Sequence, residues 1–455
     1  MKIAIVNTVA ANGGDAAILR CLYRLVRKLF GNEAEVVVHG KQPEVAARYY
    51  PEFRFSIPPC ESARRGLMPA AWPRRFSNAR VSLGMALLIL GLERAAGSVL
   101  PKRILERVEE YKRADLVIST GGTYLVPQYY MTDRLVELLL VARAKRPLVL
   151  FTQSMGPFLK LMDRAGVKRI VNRAILVLLR DERSLTHVQK LAIPDNKAAV
   201  YPDSVFAMLD PETVAGVVSQ PFPKGPRLKV AVSVREWTKF TSKTADEGMK
   251  NYTRALAAVV TKLVRHHQAE VVFVSTCQGI SEYRYDDSRI AHAIWQQLPE
   301  DVRPRVQVNR SFHRPQELMT LYSRCDFLIS TRMHAAILAL CAGVPVLPIA
   351  YEFKTDELYR QLGMSEWVQN IEQINEDTLS DAIKRFMYEI PRLRATLFNR
   401  VAHQAQRAHT VESVIRNALP DALRAKLPLG GSRTADEGTR AASHVAAAAS
   451  YGADH

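Results

Sequence analysis

Long hydrophobic runs are missing from this 455-residue chain. The nearest approach, Val81–Leu92 (VSLGMALLILGL), is too short to span a bilayer as a helix. Cysteine is sparse as well. Cys21, Cys60, Cys277, Cys325 and Cys341 are scattered, odd in number and form no CxxC pair. That spacing argues against a disulfide framework or a zinc site, and most of the five read as small core residues. Acidic charge is in deficit. Against 63 Lys and Arg there are 45 Asp and Glu, a net charge of +18. Such a balance calls for an acidic partner: nucleic acid, an anionic membrane surface or phosphorylated substrates. No aromatic-basic RNA motif, helix-turn-helix pattern or finger spacing is present, so nucleic acid ranks last and is not expected as a partner. Clustered metal ligands and internal repeats are lacking too. The opening MKIAIVNTVAANGGD reads as a strand and turn, not a signal peptide, which sets the expectation of a cytoplasmic protein.

What is present is soluble globular composition, 48% hydrophobic and 24% charged, in a chain too long for one ordinary core. Two large α/β domains are the natural expectation. The stretch Asp326–Ala350, DFLISTRMHAAILALCAGVPVLPIA, sets the pattern. Phe327–Ser330 reads as a buried strand, Met333–Cys341 as a helix closed by Gly343, and Val344–Ile349 as a second strand. In parallel sheets ligands sit beyond the carboxyl ends of strands, which is where Thr331, Arg332 and His334 fall. A helix start offers free N–H groups to an anion. Arg332 adds a planar fork for carboxylate or phosphate, and His334 a group able to give or take a proton. Taken alone, Arg332 pairing with a carboxylate and His334 as a structural histidine are equally readable; their joint position favours a site for an anion that is protonated during reaction.

The same rhythm runs along the chain. Lys2–Val6 reads as a strand, followed by Asn12, Gly13, Gly14 and Asp15 and a helix over Ala16–Phe30. The turn is either a phosphate or sugar cradle or a tight turn with Asp15 as helix cap. Glu35–His39 is the next strand, and Lys41–Arg103 reads as loop-rich. Within it a basic segment (Arg64, Arg65, Arg74, Arg75, Arg80) precedes Val81–Leu92; this is either a docking element for the inner face of a membrane or a buried helix after a surface loop. Further strands over Asp115–Ser119, Leu148–Thr152 and Ala174–Leu179 end in Gly121 and Gly122, in Gln153 and Ser154, and in Arg180, small or polar ends as a shared cleft lining would require. Arg180 either binds a ligand or pairs with an acid such as Asp181. Proline and glycine cluster over 211–227, which marks a linker between a first Rossmann-like domain (residues 1–210, with an insertion at about 61–100) and a second (228–375). In the second series Leu228–Val234 ends in Arg235, and Lys354 follows the last strong strand, either as a further site cation or as a solvated lysine. Helices close the fold over 376–420, and the Gly-, Ser- and Ala-rich residues 430–455 read as a disordered tail.

The pieces NGGDAAIL, STGGTYL, QSMGPF, LLRDERSL, YPDSVFAM, STRMHAAILALCAGVPVLPIAY and EFKTDEL occur in order between residue 12 and about 360. In order and spacing they resemble the polysaccharide pyruvyl transferases. That resemblance implies a GT-B-like fold, two Rossmann-like domains facing across a cleft, with the acceptor on the first and the donor on the second. It implies transfer of an enolpyruvyl-derived group from phosphoenolpyruvate, as co-substrate, to a saccharide, giving a pyruvate ketal. It places donor binding on Arg180, Arg332 and Lys354, with His334 beside them, and leaves acceptor residues open. Phosphoenolpyruvate carries a carboxylate and a phosphate on one small frame, which suits several cations and a helix N-terminus. His334 would deliver the proton to the methylene carbon. No metal or other cofactor is needed. A polyprenyl-diphosphate-linked saccharide would suit the basic surface. Two other readings stay open: a GT-B glycosyltransferase using a nucleotide sugar, with Glu352 and Asp356 at the ribose, and a non-catalytic scaffold at the membrane.

Overall fold

A computed structural model describes residues 1–65, 74–129 and 131–428. Residues 66–73 of the basic segment and the tail read as disordered over 430–455 lie outside the described residues, as do the side chains of Arg64, Arg65, Arg74 and Arg75. The chain divides into two compact units. The first comprises Met1–Val9, Leu22–Asp203 and the chain from Thr410 on; the second comprises Ala10–Cys21 and Ser204–His409.

The first unit is built on the strands β1 (Lys2–Thr8), β2 (Glu35–Gly40), β3 (Arg54–Ser56), β4 (Leu116–Ser119), β5 (Gly122–Leu125), β6 (Leu148–Met155), β7 (Leu176–Leu179) and β8 (Ala198–Val200). Their order is β3-β2-β1-β4-β6-β7-β8, with β5 paired to β6, and every recorded pairing is parallel. The second unit holds β9 (Lys229–Ser233), β10 (Glu270–Phe273), β11 (Val306–Val308), β12 (Phe327–Ser330), β13 (Val346–Ala350) and β14 (Gln369–Asn370), in the order β11-β10-β9-β12-β13-β14, again parallel. Each unit thus runs 3-2-1-4 from one edge, the doubly wound arrangement. The central strands are apolar runs because helices cover both faces: β4, β6 and β12 are buried at every position.

Some local expectations change. The helix after β1 begins at Gly13 rather than Ala16, and Asn12, not Asp15, supplies the cap: its Oδ1 accepts the Gly14 N–H at 2.9 Å. The stretch 41–103 is largely helical, with Pro43–Tyr49, Pro59–Arg65, Arg74–Leu90 and Glu93–Val99, and Lys102–Arg113 follows. Met85, Leu88, Ala96, Leu100, Ile104 and Val108 form an apolar cluster there, while Leu83, Leu90 and Leu92 stay exposed. From Val81 to Leu90 the Arg74–Leu90 helix carries large apolar side chains on both its buried and its exposed side, so that half lacks the periodic polar face that marks a surface helix in sequence. The Pro- and Gly-containing stretch after residue 210 opens with a helix, Pro211–Ser219, capped by Asp210 through Glu212 N–H at 3.0 Å. The following helix, Ala245–His267, starts at a capping box between Thr244 and Glu247. The C-terminal helix Glu376–Ala418 begins in the second unit and ends in the first. Among the described residues no helix is long and apolar enough to cross a membrane.

Candidate active site

In the second unit β9 and β12 lie side by side, and the chain leaves them toward opposite edges of the sheet, to β10 and β13 respectively. This is the switch point at which open α/β sheets bind ligands, and the residues just past each strand share that edge. They are Arg235 after β9, Ser275 and Thr276 after β10, Thr331 and Arg332 after β12, and Tyr351 and Glu352 after β13. Arg332 makes a two-pronged contact with Asp287, Nε to Oδ2 at 2.8 Å and Nη2 to Oδ1 at 2.5 Å. Asp287 is 2% exposed and also accepts from Ser275 Oγ at 2.6 Å. Burial works against the Arg332 charge, but Asp287 beside it holds the guanidinium well above its ordinary pKa. Burial likewise pushes the Cys277 thiol up to about 11, against the pull of Arg332, so this cysteine is a neutral wall and not a nucleophile.

The glycine turn comes to the same place. Residues 10–21 belong to the second unit, and the Gly13 N–H donates to the Thr276 carbonyl at 3.0 Å. A Cβ on Gly13 would stand less than 3.0 Å from that backbone oxygen, and one on Gly14 less than 3.0 Å from the His334 imidazole. Neither glycine is there for an unusual φ; close approach alone demands it. The amide end of the Gly13–Phe30 helix thus lies against His334, itself in the first turn of the Met333–Cys341 helix. Asp15 sits within electrostatic reach of Tyr283, whose phenol is pushed up by burial first, with the charge of Asp15 adding to it.

A second group of cations surrounds Tyr351. The Arg235 guanidinium lies 4.0 Å from its ring centroid and 5.2 Å from that of Trp237, and the Lys354 ammonium lies 5.3 Å from the Tyr351 ring. Lys354 Nζ is 2.8 Å from Glu352 Oε2, and the lysine side chain is only 12% exposed, so it is no solvated surface lysine. Arg235 is buried and donates from Nε to the Glu236 carbonyl at 3.1 Å; among the described residues no carboxylate pairs with it. The aromatic faces give it partial compensation.

Arg180, Gly121, Gly122, Gln153 and Ser154 belong to the first unit. Arg180 pairs not with Asp181 but with Asp203, Nη1 to Oδ2 at 2.8 Å, and it also donates to Ser154 Oγ at 2.7 Å and Thr123 Oγ1 at 2.5 Å. Asp181 is instead the cap of the Glu182–Gln189 helix, accepting from Ser184 N–H and from Ser154 Oγ. Gln153 is fully buried, its Nε2 donating to Ser119 Oγ at 2.6 Å. Gly122 has φ +134° and opens β5, and buried Gly121 precedes it. Nearby elements hold two buried titratable groups that the sequence reading passed over. Burial lowers His39 to about 3, helped by Arg107, and burial raises Glu137 to about 7 although Arg134 pulls it down.

Sequence reasoning missed Asp287, Trp237, Tyr351 and Asp203 as site-building residues. Asp203 stands inside YPDSVFAM, one of the quoted pieces, so a signal existed. Asp287 gives none, because only the fold brings it to Arg332. The arrangement in the second unit can do two things: hold a small anion by arginine, lysine and helix amides, and move a proton at His334.

Comparison with known proteins places these observations. Residues 12–352 match the family described as polysaccharide pyruvyl transferase. The amylovoran biosynthesis protein AmsJ of Erwinia amylovora is 24% identical over 392 residues, covering 83% of this chain and 90% of that protein. Among solved structures, Anabaena HepE bound to UDP-glucose aligns over 92% of this chain and 98% of its own with a TM-score of 0.52 at 16% identity. The UDP-GlcNAc 2-epimerase of Neisseria meningitidis aligns over 92% and 100% with a TM-score of 0.52 at 12% identity. At such identities the likeness is one of fold, the GT-B type, while the family match spans three quarters of the chain. The chain therefore belongs to the polysaccharide pyruvyl transferase family.

Proposed function

We propose that the protein transfers the enolpyruvyl-derived group of phosphoenolpyruvate to a saccharide of a cell-surface or exopolysaccharide, carried on a polyprenyl diphosphate, and closes it to a pyruvate ketal. The observation that carries this is the convergence of Arg332, His334 and the amide end of the Gly13–Phe30 helix past β12. Asp287 occupies Nε and Nη2 of Arg332, so Nη1 is the nitrogen a carboxylate or phosphate oxygen would take. Arg235 joins the donor cations of the second unit on this reading, with Lys354.

In the reaction a saccharide hydroxyl oxygen bonds to C2 of phosphoenolpyruvate as His334 gives its proton to the methylene carbon. The hydroxyl proton returns to the imidazole. The C2–O bond to phosphate then breaks, the leaving oxygen keeping the electron pair. A second hydroxyl of the same sugar attacks C2 and loses its proton to the phosphate, which closes the ketal. The cations stabilise charge as it builds on the phosphate.

The test is calorimetric titration with phosphoenolpyruvate, beside Arg332→Ala and a UDP-glucose control. Binding to phosphoenolpyruvate that the variant loses supports the donor. Binding of UDP-glucose in its place overturns this reading and moves the chain to the glycosyltransferases. His334→Ala is expected to keep donor affinity and lose turnover by roughly 10²–10⁴-fold; near wild-type turnover overturns the proton-donor assignment.

A further inference from the structure

The turn between β6 and the helix Leu161–Arg173 takes no part in that chemistry, and it is built unlike the rest of the surface. Phe158 is buried in the core of the first unit. The chain then turns outward, and Leu159, Leu161 and Met162 are 80%, 80% and 84% exposed, the most exposed large apolar side chains among the described residues. The helix anchors itself through Val167, Ile170 and Val171, all fully buried. Its solvent side carries Arg164, Lys168, Arg169 and Arg173, with Asp163 as the acid of the first turn.

Three large apolar side chains held in water are costly, and nothing in the core requires them there. They fall within four consecutive positions, 159–162, a small apolar tip. A stable protein interface needs on the order of 800 Å² per partner, more than such a tip offers. A lipid surface asks for less: a few apolar side chains at headgroup depth and cations beside them for anionic phosphates. The helix follows a parallel strand, so its start stands at the carboxyl edge of the sheet, the edge that also bears Arg180.

We propose that the Leu159–Met162 tip inserts into an anionic lipid surface, with Arg164, Lys168, Arg169 and Arg173 on the headgroup phosphates. This docks the first unit by the edge at which a lipid-borne saccharide would be met, and it holds whichever donor the second unit takes.

The experiment is co-sedimentation of the full chain with vesicles of phosphatidylglycerol and phosphatidylethanolamine, against pure phosphatidylcholine. The anionic vesicles should bind about tenfold more protein or better, and salt should weaken the binding. The triple variant Leu159→Ser, Leu161→Ser, Met162→Ser should lose about tenfold in binding with an unchanged circular dichroism spectrum. In Leu161→Trp, added anionic vesicles should shift tryptophan emission to the blue. Wild-type protein that ignores anionic vesicles overturns the proposal. So does undiminished binding by the triple variant, or loss of binding in Leu83→Ser, Leu90→Ser with the tip intact. A triple variant that changes only oligomeric state would assign the tip to a contact between copies of the chain, and overturns it equally.

Discussion

Adding a single methyl group at Gly14 should separate fold from catalysis. Alanine in the first turn of a helix normally helps, by about 0.5–1 kcal/mol relative to glycine. Here the new Cβ would stand under 3.0 Å from the His334 imidazole and its Cβ. Overpacking of this kind costs about 1–3 kcal/mol when neighbours must shift, so the two terms nearly cancel and the thermal midpoint should move by only a few degrees. Turnover behaves differently. The neighbour that yields is the imidazole, and a displacement of about 1 Å in a catalytic group can cost about 10²-fold. Gly14→Ala should therefore lose about 10²-fold in kcat and keep its donor affinity. Gly13→Ala is the contrast, because its Cβ would meet the Thr276 backbone carbonyl, which cannot swing aside, and would break the 3.0 Å hydrogen bond between them. That variant should lose stability outright, by about 2 kcal/mol or more. Kinetics with calorimetric donor binding and a thermal scan on both variants decide the matter. Full activity in Gly14→Ala would refute the placement of His334 at the reacting centre.

Other expectations follow from the same groups. Asp287→Ala leaves Arg332 buried without its acid and should cost about 3–5 kcal/mol, read by denaturant unfolding; a near-neutral result would mean the pair is loosely held. Glu137 has its pKa raised by burial to about 7, so between pH 4.5 and 7 the folded state holds the extra proton and stability falls as pH rises. His39, lowered to about 3, acts in the opposite sense: its contribution is lost as pH falls from 6.5 toward 3. Glu137→Gln should remove the first slope, by up to about 3 kcal/mol in total, and leave a stability that only declines below pH 6.5. Unfolding midpoints across that range check it, and an unchanged profile would refute the buried-acid assignment. Arg235→Leu should weaken donor binding with little change in the thermal midpoint; intact affinity would remove Arg235 from the donor cations.

The central strands were readable because they are sheathed on both faces and so appear as unbroken apolar runs, as Phe327–Ser330 and Leu148–Thr152 do. Strand ends could be read with them, which is why Arg332, His334 and Lys354 stood out as candidate site residues and Arg235 as candidate cleft lining. What could not be read was pairing across the fold. Asp287 lies 45 residues before Arg332 in a helix first turn that looks like any capped one. The contact of Gly14 with His334 joins residues whose nearness no local pattern encodes. The short strands β3, β8 and β14 hold two or three residues each, little length for an apolar run to declare itself. Helices within 41–103 were hidden by a surface that keeps Leu83 and Leu90 in water.

The buried pairing of Arg332 with Asp287 has a consequence for divergence. Replacing the arginine alone strands a carboxylate at 2% exposure, and replacing the aspartate alone strands a guanidinium. Each single step passes through a protein with an uncompensated buried charge. On the donor-binding reading, descent toward a different anion, or toward none, thus requires both positions to change nearly together, or the pair to remain as an inheritance. Arg180 and Asp203 stand under the same constraint.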